Sequence, residues 1–201
     1  MRFFIFYIDS KLKDMVIYFL RGEEVLIIEK ISSKTAKYIK NINEEETASY
    51  EVLDYGLRII YNGLAVVLIS MVFGFIIGRP IDTLIIIISF ATLRYFSGGY
   101  HLKESDSCVL VSSMLICVLS AVLMNNIPAL LNILSIAILL ILAPRDIDSQ
   151  YRNPALSNML FKFISVSLVT INFLFVHSDA VTISFFAQSL TLLIPNKKMI
   201  G

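Results

Sequence analysis

The chain has 201 residues, of which 57% are hydrophobic and 16% charged, with a mean hydropathy of +0.77. A soluble domain of this length buries one core and cannot hide so many apolar runs, so the composition points to a membrane protein. The net charge of +1 carries no basic footprint of the kind nucleic-acid binding requires.

In chain order, Met1–Ile8 is apolar and aromatic, but Asp9, Lys11, Lys13 and Asp14 interrupt it at once. It does not match the long apolar core and small-residue cleavage site of a signal peptide. Arg21-Gly22-Glu23-Glu24 can be spelled by purine-rich, ribosome-binding-site-like codons, and Val25 and Leu26 have codons that serve as alternative starts. Residues 1–24 are therefore read as an over-called start or a dispensable extension. N-terminal mass spectrometry of the natively expressed protein checks this, and an intact Met1 would end the idea.

Residues 25–56 form the expected cytoplasmic arm. Ile28, Ile31, Tyr38, Ile39 and Ile42 recur at roughly helical spacing between Lys30, Lys34, Lys37 and Lys40, which predicts an amphipathic helix. Two readings stand level: a helix lying on an anionic membrane surface, or one packed on the protein's own face. Asn43 with Glu46 three residues later resembles a helix start, and that helix is expected to run through Tyr50 and Tyr55 into the first membrane span.

Residues 57–196 form the expected membrane domain. Its apolar stretches are Leu57–Ile77, Ile81–Phe96, Cys108–Met124, Ile127–Ala143, Leu160–Val176 and Ala180–Ile194. The expectation is an all-α, polytopic membrane protein with about six transmembrane helices preceded by the amphipathic N-terminal helix, although the second, fifth and sixth runs are short for a full crossing. Charge supports six. With the N-terminus inside, residues 1–56, the 94–107 and 144–159 loops, the inner helix ends and the C-terminus hold sixteen of the seventeen Lys and Arg, leaving only Arg79 outside. The positive-inside rule predicts such asymmetry, placing both termini in the cytoplasm and the chain in the cell membrane as a multi-pass protein. Gly56, Gly63 and Gly74 share a helical face, and Gly74-x-x-x-Gly78 adds a close-packing signature. The stripe fits an internal helix contact or a homodimer seam.

Leu93–Cys108, reading LRYFSGGYHLKESDSC, combines a cysteine, a histidine, a glycine pair and several charges at the inner membrane surface. A thiol attacks an amide carbonyl as thiolate, and so needs a base or a cationic neighbour. His101 is the candidate base for Cys108. On one continuous helix the pair would be separated by about 10 Å of rise, so a break is expected between them, near Ser105–Ser107, with Cys108 opening a helix. Gly98-Gly99 permits close approach of a substrate backbone or offers N–H groups to an oxyanion, and Arg94 is suited to hold a carboxylate or fix the loop. A glycine pair is also an ordinary turn, and an arginine an ordinary surface anchor. Lys103, Glu104 and Asp106 either orient His101 and hold a precursor or form a solvated loop face, the second being favoured. Cys117 is expected as a packed residue unpaired with Cys108, and His177 as an outer loop residue. Residue chemistry alone makes this loop a site without naming its reaction.

Arg94, the Ser97-Gly98-Gly99 step, His101 and Cys108 at seven-residue separation resemble the signature of the accessory gene regulator B family, membrane cysteine endopeptidases of Gram-positive quorum sensing. Glu29–Leu57, Ala143-Pro144-x-Asp146 and Leu190–Lys198 resemble further segments of that family, so the likeness covers nearly all of the chain from residue 26. Where many relatives carry a lysine-rich stretch after the alanine-proline step, this chain has Asp146, Asp148 and Gln150 before Arg152, which weakens any role of that loop in gripping an anionic precursor.

The resemblance implies a short amphipathic propeptide of the accessory gene regulator D type as substrate, with Cys108 as nucleophile and His101 as base and then acid. Arg94, Ser97, Gly98 and Gly99 would hold substrate or oxyanion. It further implies an acyl-enzyme thioester and closure to a thiolactone or lactone, with no metal and no other cofactor. The rival reading is a non-catalytic transporter or export component for a small peptide. Transporters place ionisable groups in mid-membrane, whereas Arg58, Asp82 and Lys162 all lie at the ends of the expected spans.

Overall fold

The computed structural model describes residues 27–44, 47–99, 105–123, 127, 129–145 and 154–194. The proposed N-terminal extension, the Asn43–Glu46 start at its Glu46 end, His101, Lys103, Glu104 and the 146–153 loop therefore lie outside the described residues. Seven α-helices make up almost all of the rest: α1 Ile27–Ile42, α2 Tyr50–Ile76, α3 Pro80–Ser97, α4 Ser105–Val122, α5 Leu130–Leu142, α6 Pro154–Ile171 and α7 Asp179–Thr191. A π-helical turn, Asn172–Val176, continues α6. The protein is all-α, and the six expected apolar stretches each hold one helix.

Among the described residues, three helical segments are long and apolar enough to cross a membrane: Tyr50–Ile76, Pro80–Ser97 and Ser157–Val176. Asp106–Val122 and Leu130–Leu142 are apolar but shorter. At 1.5 Å per residue, a 13-residue helix covers about 20 Å, less than the hydrocarbon thickness.

The chain divides into two compact units, Met1–Ala65 with Leu102–Leu110, and Val66–His101 with Val111–Gly201. In the first, α1 packs on the start of α2. Ile28, Ser32 and Ala36, spaced four apart, are its buried residues. Ser33 Oγ bonds the Tyr50 hydroxyl at 2.7 Å, Thr35 Oγ1 bonds that of Tyr61 at 3.1 Å, and Arg58 pairs with Glu29 and Asp54 at 2.7 and 2.8 Å. The expected helix start at Asn43 is displaced, because α2 begins at Tyr50. Lys40 Nζ donates to the carbonyls of Glu44 and Thr47, and Thr47 Oγ1 donates to that of Asn43. These bonds hold a turn between the helices.

In the second unit α7 is the inner element. Only Leu190 of its residues is exposed, and it packs against α3, α5 and the π turn that continues α6. Ile86, Ile87, Ile116, Leu119 and Leu123 gather around Ala180 and Ala187. Leu93, Leu139, Ala143, Val169 and Leu192 gather around Phe185. Asn172 Nδ2 donates to Thr182 Oγ1 at 2.8 Å and Asn132 Oδ1 at 3.2 Å, Asn132 Nδ2 donates to the same Thr182 hydroxyl, and Asn172 Oδ1 accepts the Ser178 N–H. Helix ends alternate in this unit. The starts of α3 and α7 meet the end of α4, where Arg79 donates to the Leu123 carbonyl and Asp179 accepts from the Ile127 N–H. The ends of α3, α5 and α7 meet at Ser97, Arg145 and Leu192.

The glycine stripe separates into different roles. A Cβ on Gly74 would stand 2.6 Å from Thr83 Oγ1, whereas Gly56 and Gly63 face open space. Gly78 adopts φ +72 in the turn that follows α2, so of the pair Gly74 and Gly78 only the first is a close-packing position. Gly74→Ala is accordingly expected to destabilise the detergent-solubilised protein by about 1–3 kcal/mol, and Gly63→Ala to be neutral or mildly stabilising through helix propensity. Thermal unfolding of the two variants checks this; equal losses would show that both glycines are packed.

Candidate functional site

Cys108 lies in the first turn of α4, half-buried and unpaired with Cys117. The helix opens at Ser105, three residues before the expected opening at Cys108, and the stretch between Gly99 and Ser105 lies outside the described residues. Ser and Asp favour such positions by competing for backbone N–H groups. Asp106 accepts the Ile28 N–H at 3.2 Å and so caps α1 from a distance, a role that the solvated-face expectation did not include.

In the second unit, the end of α3 is held by a dense set of hydrogen bonds. Gly98 closes the helix with φ +70, its N–H donating to the Arg94 carbonyl at 2.9 Å. The chain then pairs with the segment after α5, as Arg145 N–H donates to the Ser97 carbonyl at 3.0 Å and Gly99 N–H to the Arg145 carbonyl at 3.2 Å. A Cβ at Gly98 would collide with the Arg145 carbonyl oxygen, so close backbone approach explains glycine there. Both glycine N–H groups are thus spent within the protein, and either would have to leave its bond to serve an oxyanion. Ser97 is fully buried. The Arg94 guanidinium lies 5.9 Å from the Phe90 ring centroid and flanks Gly99.

Two residues complete this arrangement that sequence reasoning did not single out. Gln188 of α7, fully buried, donates from Nε2 to the Gly98 carbonyl at 2.8 Å and to Ser97 Oγ at 3.2 Å, while its Oε1 has no hydrogen-bond partner among the described residues. Arg145 donates to the Leu192 carbonyl at 2.6 Å, at the C-terminal end of α7. The signal for Gln188 was an amide inside an apolar run, where burial demands a partner. For Arg145 it was a cation placed directly after an apolar helix. Gly99 is two residues before His101, so this clamp limits the Cα of the histidine to within about 7 Å of a fixed point.

A cavity of about 280 Å³, lined by Arg79, Asp82, Ile85, Leu123, Ser178, Asp179 and Ala180, opens where α3 and α7 begin, at the opposite end of the same unit. It contains none of the residues expected at the site. His177 adopts φ 51 and donates its N–H to the Asn172 carbonyl at 2.8 Å, ending the π turn.

Apolar helices built around a polar inner helix define an all-α membrane protein. The chain belongs to the accessory gene regulator B family, whose model matches residues 28–193. Over 100 residues it is 35% identical to an AgrB-like protein of Halalkalibacterium halodurans, a stretch covering 50% of this chain and 51% of that one. The chain thus spans about half the length of that curated relative. No solved structure matches.

The clamp makes two substitutions informative. Gly98→Ala forces a Cβ into the Arg145 carbonyl at a left-handed φ, and is expected to cost about 1–3 kcal/mol. Gln188→Leu leaves two acceptors without their donor and is expected to cost about the same. Thermal unfolding in detergent measures both, and a midpoint unchanged in either variant would remove that residue from the clamp.

Proposed function

We propose that this protein is a membrane cysteine endopeptidase that removes the C-terminal tail of a short amphipathic quorum-sensing propeptide. The observation that carries the reading is membership of the accessory gene regulator B family across residues 28–193, a span that contains Arg94, the Ser97-Gly98-Gly99 step, His101 and Cys108. Location of Cys108 in the first turn of a helix, half-buried and without a disulfide, supports it as nucleophile.

In this scheme His101 takes the thiol proton and the Cys108 sulfur attacks the carbonyl carbon at the head of the tail. The imidazolium then gives that proton to the leaving amine, the C–N bond breaks, and the tail departs, leaving a thioester on Cys108. A thiol or hydroxyl in the retained peptide attacks the same carbonyl and returns the sulfur to Cys108 as thiol. Exchange of one thioester for another is close to balanced, so forming a thiolactone needs no energy source, provided that water is kept away. Arg94 is suited to a carboxylate of the tail. Ser97, Gly98 and Gly99, clamped by Gln188 and Arg145, set the course of the chain into His101.

The same reading places six crossings in the cell membrane, with both termini and the His101–Cys108 loop in the cytoplasm. The alternating helix ends around Arg79 and around Arg145 support that order. A transporter would use the polar interior of the bundle as a path, but Asn132, Asn172 and Thr182 are bonded to one another.

Coexpression of the protein with its precursor, followed by mass analysis of the peptide, tests the proposal. Wild type is expected to release the tail, Cys108→Ala to abolish release, and His101→Ala to slow it by about 10²–10⁴-fold. A retained peptide lighter by one water than its linear form reports ring closure. Equal processing by wild type and Cys108→Ala would reject Cys108 as nucleophile and favour the transport reading.

A further inference from the structure

The arm helix α1 has a face that none of the described residues covers. At about 100° per residue, Ile27, Ile31, Tyr38 and Ile42 fall within about 60° of arc, and all four are exposed, Tyr38 and Ile42 by 69% and 67%. Lys30, Lys34 and Lys37 line one flank of this stripe and are exposed as well. The face that adjoins the stripe on its other flank, across from the lysines, carries Ile28, Ser32 and Ala36 and is the one seated on the protein. The packed reading of the amphipathic pattern is thus met on one face of the helix, beside an apolar stripe that stays exposed.

Orientation of that open face is fixed at four points. Asp106 holds the Ile28 N–H, Arg58 holds Glu29, and the Tyr50 and Tyr61 hydroxyls hold Ser33 and Thr35. Three of these partners belong to the first part of α2, the longest and most apolar of the helices able to cross a membrane. A helix fastened to the end of a membrane-crossing helix lies at the depth of the lipid headgroups. An apolar stripe flanked by lysines, at that depth, meets acyl chains with its aliphatic side and phosphates with its ammonium groups.

We propose that α1 is an anionic-lipid binding element, with Ile27, Ile31, Tyr38 and Ile42 entering the acyl boundary and Lys30, Lys34 and Lys37 pairing with headgroup phosphates. This surface is independent of the peptidase reading and operates whether or not Cys108 is a nucleophile. Charge complementarity and the attachment to α2 select a bilayer over an amphipathic peptide as the occupant.

The test uses the full-length chain carrying Cys108→Ser and Cys117→Ser, with Tyr38→Cys labelled by an environment-sensitive fluorophore, in lipid nanodiscs. Replacing part of the phosphatidylcholine with phosphatidylglycerol is expected to shift emission to the blue and to lower quenching by aqueous iodide on the order of twofold. Added salt should reverse the protection without any further substitution, as should Lys30→Gln, Lys34→Gln and Lys37→Gln combined. Equal quenching in both lipids would overturn the proposal. Protection that appears only on adding the precursor peptide would overturn it too, and would make the face a peptide-docking surface. Because the labelled protein lacks Cys108, neither result depends on catalysis.

Discussion

Inside a bilayer a polar group cannot turn to water, and the second unit is arranged around that constraint. Its least apolar helix, α7, sits innermost, and the helices around it present aliphatic side chains outward. Ser184 of α7 donates to the Ile86 carbonyl of α3, Ser189 to the Phe185 carbonyl of its own helix, Thr182 receives two asparagine amides, and Gln188 reaches the end of α3. Hydrogen bonds between helices, together with small side chains, supply the association that the hydrophobic effect cannot supply among apolar surfaces in lipid. Ser and Thr on α7 therefore do what Leu and Ile do in a soluble core.

The same helix carries this order to the candidate site. Gln188 lies two turns beyond Thr182, and its amide holds the Gly98 carbonyl and the Ser97 hydroxyl. Arg145 closes the opposite side by pairing its backbone with Ser97 and Gly99 while its guanidinium holds the last turn of α7. The glycine step is thus a joint between the ends of three helices. Its backbone donors are engaged in that joint, so its structural meaning differs from the free N–H pair that glycine-rich sequence brings to mind.

Much of the helical architecture was legible in the sequence because apolar runs in a membrane protein are long and separated by short polar turns. Pro80 at the start of α3 and Ser178 as the N-cap of α7 follow ordinary capping rules. What was not legible depends on tertiary pairing. Asn43 and Glu46 have the spacing of a helix start, yet Lys40 and Thr47 take the nearby carbonyls and α2 begins later, at Tyr50. Asp106 reads as a charge in a loop, yet it caps a helix 78 residues away in sequence. Gln188 carries no charge and no motif, and only its contact with Ser97 and Gly98 reveals its place. Gly56, Gly63 and Gly74 share a helical face, and only the position of Thr83 separates the packed glycine from the open ones.

Positive charge has a use here at the ends of helices. Arg145 donates to the Leu192 carbonyl at the end of α7, Lys162 to the Leu140 carbonyl in the last turn of α5, and Arg79 to the Leu123 carbonyl just past α4. Each cation meets the negative end of a helix dipole, where backbone carbonyls lack intrahelical donors. Arg79 is the one cation that departs from the expected charge asymmetry, and this contact accounts for it. The α4 helix ends on the side away from Arg145 and Lys162, so its orphan carbonyl needs a donor there, and the turn before α3 provides one. Satisfying a helix end in an apolar setting outweighs keeping that turn free of positive charge, which is why a rule about loops has its exception at the residue beside Pro80.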